Sequence, residues 1–132
     1  MTSIVTYERG LRTKCEHIKS GSAFHTDAPP DNHGRGEAFS PTDLTATSLA
    51  TCMLTVMGIY AEKNCISLDG SKVEVTKFMA NDPRRIVKIK VDLHLPADIP
   101  GNERAKLENI AINCPVAKSL HPQIEQEVMF HY

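Results

Sequence analysis

A long uncharged segment dominates the middle of the 132-residue sequence, since no charged residue lies between Asp43 and Glu62. A capping signal precedes it. Ser40 can accept hydrogen bonds from backbone N–H groups, and Pro41 fits the first helical position. Asp43 lies three residues after the cap and favours the positive helix end, as in an acidic capping box. The pattern predicts one helix from Pro41 to about Lys63, roughly 35 Å long at ~1.5 Å per residue.

This predicted helix is apolar on nearly every side. Helices of that kind are usually buried all round. A single chain of 132 residues has little material left to cover all faces of such a helix. The composition therefore predicts an oligomer, in which a second subunit covers what one chain leaves open.

Strands are predicted on both sides of the helix. In residues 85–95 the odd-numbered positions from Val87 to Leu95 are apolar, which is typical of a half-buried strand. The order of strands, long helix, hairpin, helix and strand predicts a single α+β domain over residues 1–132. The remaining predicted elements are two strands in 4–19 with a turn near Arg9-Gly10, a strand at 22–26, a hairpin strand at 72–79, a helix at 102–113, a helical turn at 115–120 and a closing strand at 127–132.

Composition and charge exclude several classes of protein. The chain has 15 basic and 16 acidic residues, so no basic patch predicts nucleic acid or an anionic membrane as partner. No continuous apolar run approaches the ~20 residues of a membrane span, and the first residues hold no apolar signal core. We therefore expect a cytoplasmic protein whose four cysteines start out reduced.

Cys52 lies in the middle of the predicted helix and shares one helical face with Thr45, Ser48 and Thr55. One interpretation is a thiol in a small, partly polar pocket, because buried polar groups need partners. The alternative is a packing cysteine beside hydroxyl groups that bond back to helix carbonyls.

Cys114 directly precedes Pro115, which places its sulfur at the N-cap of the predicted helical turn. The positive helix end can stabilise a thiolate there, and a buried capping residue is the alternative. Cys15 and Cys65 have no distinctive context and are interpreted as structural. The sequence has no C-x-x-C motif, no zinc-type spacing of histidines, no phosphate loop at 34–36 and no G-x-S-x-G motif, so neither a metal nor a cofactor is expected.

Two segments together resemble the OsmC/Ohr family, the osmotically inducible protein C and organic hydroperoxide resistance proteins. The first leads from Phe39-Ser40-Pro41-Thr42-Asp43-Leu44 to Ala50-Thr51-Cys52, and the second is Asn113-Cys114-Pro115-Val116-Ala117-Lys118-Ser119-Leu120. The loop at 27–38 is similar to one branch, called OsmC-like. The resemblance implies an OsmC-like α+β fold, in which a long buried central helix is wrapped by antiparallel sheets in an intertwined homodimer.

The resemblance also implies a chemistry, the reduction of an organic hydroperoxide by thiols. Cys52 would be the reactive cysteine, Cys114 the resolving cysteine, and an external dithiol the reductant. The family uses an arginine from an early strand to stabilise the thiolate, for which Arg12 is the better match and Arg9 the alternative. Residues expected to contact the substrate are Thr45, Ser48, Asp43 and Glu37.

One position departs from the family pattern. Peroxidase branches carry an acidic residue ten positions before the reactive cysteine, to pair with the arginine, and this sequence has Thr42 there. Asp43 or Glu37 could replace that acid. The departure keeps open a non-catalytic member that binds a small apolar or thiol-reactive ligand. A structural oligomer without any small-molecule role is a third possibility.

Overall fold

A computed structural model describes all residues 1–132, which form two compact units, Met1–Thr45 and Ala46–Tyr132. The helix α1, Pro41–Lys63, begins in the first unit and continues through the second. The chain is mixed α and β, as predicted. That residues 1–132 form a single domain remains a prediction.

The first unit holds an antiparallel sheet of β1 (Ser3–Glu8), β2 (Arg12–His17) and β3 (Ala23–Asp27), in that order. The turn between β1 and β2 needs glycine, because Gly10 has φ +74° and a Cβ there would lie 2.5 Å from the guanidinium of Arg35. Arg35 Nη2 also donates to the carbonyl oxygen of Arg9 at 3.0 Å. The loop after β3, which contains a 3₁₀ turn at Pro30–Asn32, is thereby tied to this turn.

Helix α1 begins where the sequence predicts, through a reciprocal capping box. The Ser40 backbone N–H donates to Asp43 Oδ2 at 2.9 Å, and the Asp43 backbone N–H donates to Ser40 Oγ at 3.1 Å. Both bonds satisfy N–H groups at the helix start that have no intrahelical acceptor. The predicted limits of the helix, Pro41 and Lys63, are confirmed.

Burial along α1 is confined to one face. The exposed side chains include Ile59, of which 52% is accessible. A single chain therefore leaves part of this apolar helix uncovered, as the sequence analysis expects. The buried residues are Ala46, Leu49, Ala50, Met53, Met57 and Ala61.

By length and composition alone, α1 is also apolar enough to cross a membrane, although 33% of its apolar window is buried within the protein. This corrects the expectation drawn from continuous apolar runs, which the threonines and serines of the segment interrupt. The core helix of a soluble protein meets the same criterion.

The second unit packs the rest of α1 into one hydrophobic core with a second sheet. Strand β4 (Lys72–Ala80) pairs antiparallel with β5 (Arg85–His94), and β5 pairs parallel with β6 (Glu125–His131). The parallel pair departs from the antiparallel sheets that we expected. Its cause is the long crossover through α2 (Gly101–Ile112) and α3 (Pro115–Ser119), since parallel strands need such a connection.

A bulge shifts the register of the hairpin near its turn. Phe78 pairs with Lys88, but the next residue, Met79, pairs with Ile86, so one residue of β5 is extra. Ile86 consequently belongs to the buried set with Ile89, although strict alternation predicts Val87 in that role. The predicted alternation holds from Ile89 onward.

Two isoleucines of the second unit allow a matched test of this core. Ile89→Ala removes a side chain that is 0% exposed, and Ile112→Ala removes one that is 47% exposed. We expect Ile89→Ala to lower the free energy of unfolding by about 2–5 kcal/mol and Ile112→Ala by less than about 1 kcal/mol. Urea unfolding followed by circular dichroism measures both. Equal losses would contradict the assigned core.

Candidate functional site

The structure brings the two cysteines of the family motifs together. Cys52 is half-buried on α1, and Cys114 is 1% exposed at the start of α3. Their side chains lie close enough for Cys52 to raise the pKa of the Cys114 thiol. Both thiols are free, as are those of Cys15 and Cys65, so the pair is in the reduced state. Cys52 is thus the thiol of the pair that solvent can reach, and Cys114 is the thiol that solvent cannot reach.

Cys114 caps α3 as the sequence predicts, since the backbone N–H of Ala117 donates to its Sγ at 3.4 Å. Even so, the pKa of the Cys114 thiol is raised above its usual value, chiefly by burial and further by the neighbouring Cys52. The N–H groups of Ala117 and Val116 offset this only in part. Of the two interpretations of Cys114, the buried capping residue agrees with the structure, because removal from water outweighs the helix end.

The threonine hydroxyl groups predicted to share a face with Cys52 bond to their own helix. Thr45 Oγ1 donates to the carbonyl oxygen of Pro41 at 3.1 Å, and Thr55 Oγ1 donates to that of Thr51 at 2.7 Å. Both threonines are exposed. These bonds agree with the alternative interpretation for Thr45 and Thr55, in which the hydroxyl groups bond back to carbonyl groups of the helix. Ser48 is half-buried, and its carbonyl oxygen accepts from Thr51 Oγ1 at 3.0 Å.

A second charged cluster lies in the first unit, around Arg12. The register of β2 and β3 places Arg12 opposite Asp27. Arg12 Nε donates to Asp27 Oδ1 at 2.7 Å, and Nη2 donates to Oδ2 at 2.8 Å. Nη2 also contacts Glu37 Oε2 at 3.2 Å. The guanidinium is thus held on one edge by two carboxylates, in the forked geometry that arginine favours.

Asp27 is the member of this cluster that the sequence analysis missed. The sequence places Asp27 in the loop after a strand at 22–26, but strand β3 extends to Asp27, and its register with β2 pairs Asp27 with Arg12. Glu37 does contact Arg12, whereas Asp43 serves in the capping box of α1. Arg9 is exposed in the β1–β2 turn, where its carbonyl oxygen accepts from Arg35.

Asp27 is fully buried, and burial alone would favour its neutral form. The hydrogen bonds from Arg12 outweigh this effect and hold the pKa of Asp27 below its ordinary value, with a smaller contribution from the Glu37 backbone N–H. The same pairing raises the pKa of Arg12. The pair is therefore ionised throughout the neutral pH range.

Two surface cavities, of about 340 and 420 Å³, lie elsewhere in the second unit near the carboxyl end of α1. Ile66 and Ser67 line both, and neither Cys52 nor Cys114 lines either. The cysteine pair therefore lies apart from both cavities. No group of three or more histidine, cysteine or acidic side chains could hold a metal ion.

A variant that keeps Cys114 as its single cysteine tests the balance between burial and capping. We expect Cys15→Ser/Cys52→Ser/Cys65→Ser to show a thiolate absorbance at 240 nm whose midpoint lies above the ordinary cysteine value of about 8.5, because burial remains. The matched variant that keeps exposed Cys65 alone supplies the reference. A Cys114 midpoint below that reference would contradict the assignment.

Residues 34–129 match the model of the OsmC-like protein family. This range includes both cysteines and Glu37, whereas Arg12 and Asp27 lie outside it. Comparison with curated proteins gives no match.

Solved structures are similar over nearly the whole chain. A candidate osmotic stress induced and detoxification response protein from Psychrobacter arcticus is 49% identical, with a TM-score of 0.96, over 99% of this chain and 96% of that one. An organic hydroperoxide resistance protein from Legionella pneumophila is 19% identical, with a TM-score of 0.75, over 100% and 98%. A candidate organic hydroperoxide resistance protein from Vibrio cholerae, with captopril bound in one active site, is 16% identical, with a TM-score of 0.75, over 98% and 91%. The last two share the fold.

Proposed function

The chain belongs to the OsmC-like protein family, and on that premise we propose that it is a thiol peroxidase that reduces organic hydroperoxides. The observation that carries the proposal is the proximity of half-buried Cys52 to buried Cys114, whose thiol it perturbs. Two neighbouring thiols can form a disulfide once one of them has been oxidised. The names of the Legionella and Vibrio proteins, which refer to organic hydroperoxide resistance, support the choice of substrate class.

The first step oxidises Cys52. Its thiolate attacks the distal oxygen of the hydroperoxide, the O–O bond breaks, and the alkoxide leaves and takes up a proton to become an alcohol. Cys52 becomes a sulfenic acid. The half-exposed position of Cys52 supports its role as the thiol that meets the substrate, since a peroxide must reach the sulfur.

The second step uses the buried thiol. Cys114 attacks the sulfenic sulfur of Cys52, a disulfide forms, and hydroxide leaves with the Cys114 proton as water. An external dithiol then reduces this disulfide by exchange and is itself oxidised to a disulfide. We assign the reaction to the cytoplasm, where such reductants keep thiols reduced.

In this mechanism Arg12 stabilises the Cys52 thiolate and the developing alkoxide. That role rests on the family resemblance. It is supported by the forked pairing with Asp27 and by the partial exposure of the Arg12 side chain, 23%, which leaves the guanidinium open on one side. Glu37 lies at the same guanidinium and replaces part of the acidic charge that position 42 lacks.

Turnover of cumene hydroperoxide with excess dithiol tests the proposal. We expect many turnovers for the wild type, at least about a tenfold loss for Cys52→Ser and for Cys114→Ser, and full activity for Cys65→Ser, whose thiol lies outside the pair. Disappearance of peroxide and of dithiol measures the rate. Wild-type turnover that survives Cys52→Ser would exclude this mechanism.

A second function is a non-catalytic member that binds a small apolar or thiol-reactive ligand through Cys52. The observation in its favour is Thr42, at the position where peroxidase branches carry an acid. The same assay separates the two functions, because a binder consumes at most one equivalent of peroxide per Cys52. Retained ligand on Cys52, detected by mass spectrometry, would support this second function.

We further propose that the protein is a homodimer. Two apolar surfaces that remain exposed in the single chain support this, one around Ile59 on α1 and one on the sheet of the first unit, where Val5 and Tyr7 are 60% and 68% exposed. Exposed apolar area of this kind usually marks an interface.

Sedimentation of the wild type should give twice the mass of the chain. Ile59→Glu should shift the protein towards monomer, because it places a charge in the proposed contact. Lys63→Glu, one turn further along the same helix and exposed, serves as the matched control that keeps the dimer. A wild type that sediments as a monomer at micromolar concentration would contradict the proposal.

A further inference from the structure

The pairing of Arg12 has two unequal parts. Asp27 is 0% exposed and contacts the guanidinium through both carboxylate oxygens, at 2.7 and 2.8 Å. Glu37 is 67% exposed and contacts one nitrogen at 3.2 Å. Solvent screens the Glu37 contact much more strongly than the buried one. Asp27 therefore determines the position of the Arg12 guanidinium more strongly than Glu37 does.

Asp27 is itself held in place. Its Oδ2 accepts the backbone N–H of Glu37 at 3.2 Å, and its own backbone N–H donates to the carbonyl oxygen of Phe39 at 3.1 Å. These bonds join the end of β3 to the segment that leads into α1. A buried carboxylate with three N–H donors has few other arrangements, since losing any one of them would leave a charge poorly paired.

We propose that Asp27 is a positioning residue, which fixes the plane and the direction of the Arg12 guanidinium. This inference rests on the proposed function, in which Arg12 acts on the Cys52 thiolate. Asp27 engages Nε and Nη2 and leaves Nη1 outside the fork. A planar group held by two parallel bonds keeps one orientation, whereas a single contact allows rotation.

In this proposal Asp27 acts on the reaction only through Arg12. Substitution of Asp27 should therefore lower kcat and should not raise KM as a loss of substrate binding would. We expect Asp27→Asn to lower kcat about tenfold with KM changed less than about twofold, because an unfixed guanidinium stabilises the transition state poorly. Glu37→Gln should give a smaller loss. Glu16→Gln changes an exposed carboxylate on β2, on the same sheet face as Arg12, and should leave the kinetics unchanged.

The pH dependence of Cys52 alkylation by iodoacetamide gives a readout that does not depend on turnover. Measured in a Cys15→Ser/Cys65→Ser/Cys114→Ser background, the midpoint should rise by about one pH unit in Asp27→Asn. Arg12→Ala should give a similar rise, and Asp27→Asn should add nothing in the Arg12→Ala background. Thermal unfolding of each variant identifies any that fail to fold. If Asp27→Asn is among them, Asp27→Glu, which keeps the charge but displaces the fork, takes its place with the same expected direction.

The outcomes separate the positioning role from the proposed function. A shifted midpoint in Arg12→Ala with no shift in a folded Asp27 variant would overturn the positioning role and leave the role of Arg12 intact. No shift in either variant would overturn both. Shifts in both without additivity would support the positioning role even if the wild type showed no peroxide turnover.

Discussion

The reciprocal hydrogen bonds between Ser40 and Asp43 fix where helix α1 begins, and the placement of Cys52 depends on that helix. Cys52 lies three turns from the cap, three residues after Leu49 and next to Met53, both of which are fully buried. At 100° per residue, this position falls on the edge of the buried stripe. The thiol can therefore lie near Cys114 on the core side while part of it stays open to solvent.

Most of the secondary structure could be predicted from the sequence, because local signals determine it. The capping box, the turn glycines and the periodicity of the apolar residues predicted the limits of α1, the strands of the first sheet and the β4–β5 hairpin to within one or two residues. The bulge at Val87 could not be predicted, since strict alternation of apolar residues looks the same with or without one extra residue in a strand. The direction of β6 depends on how the chain crosses through α2 and α3, which is a non-local property.

The candidate site was predictable to a similar degree. The contact between Cys52 and Cys114 followed from motifs that recur in a known family, whereas the residue that holds Arg12 did not. The family pattern predicts an acid at position 42, and in its absence Asp43 and Glu37 are the nearest candidates. Asp43 serves the helix cap instead, and the carboxylate with the shorter contacts comes from strand register, fifteen residues after Arg12. Asp27 can thus bind the guanidinium of Arg12. In the family pattern, an acid on the helix pairs with this arginine instead.

Burial distinguishes the two cysteines more strongly than their positions on helices do. A helix end alone would favour a Cys114 thiolate, but transfer out of water raises its pKa and keeps the proton on sulfur. A protonated, inaccessible thiol reacts poorly with a dissolved peroxide. It remains well placed to attack a sulfenic acid already in contact with it, since proximity replaces a high thiolate concentration. The same burial that makes Cys114 a poor first nucleophile therefore supports its assignment as the resolving thiol.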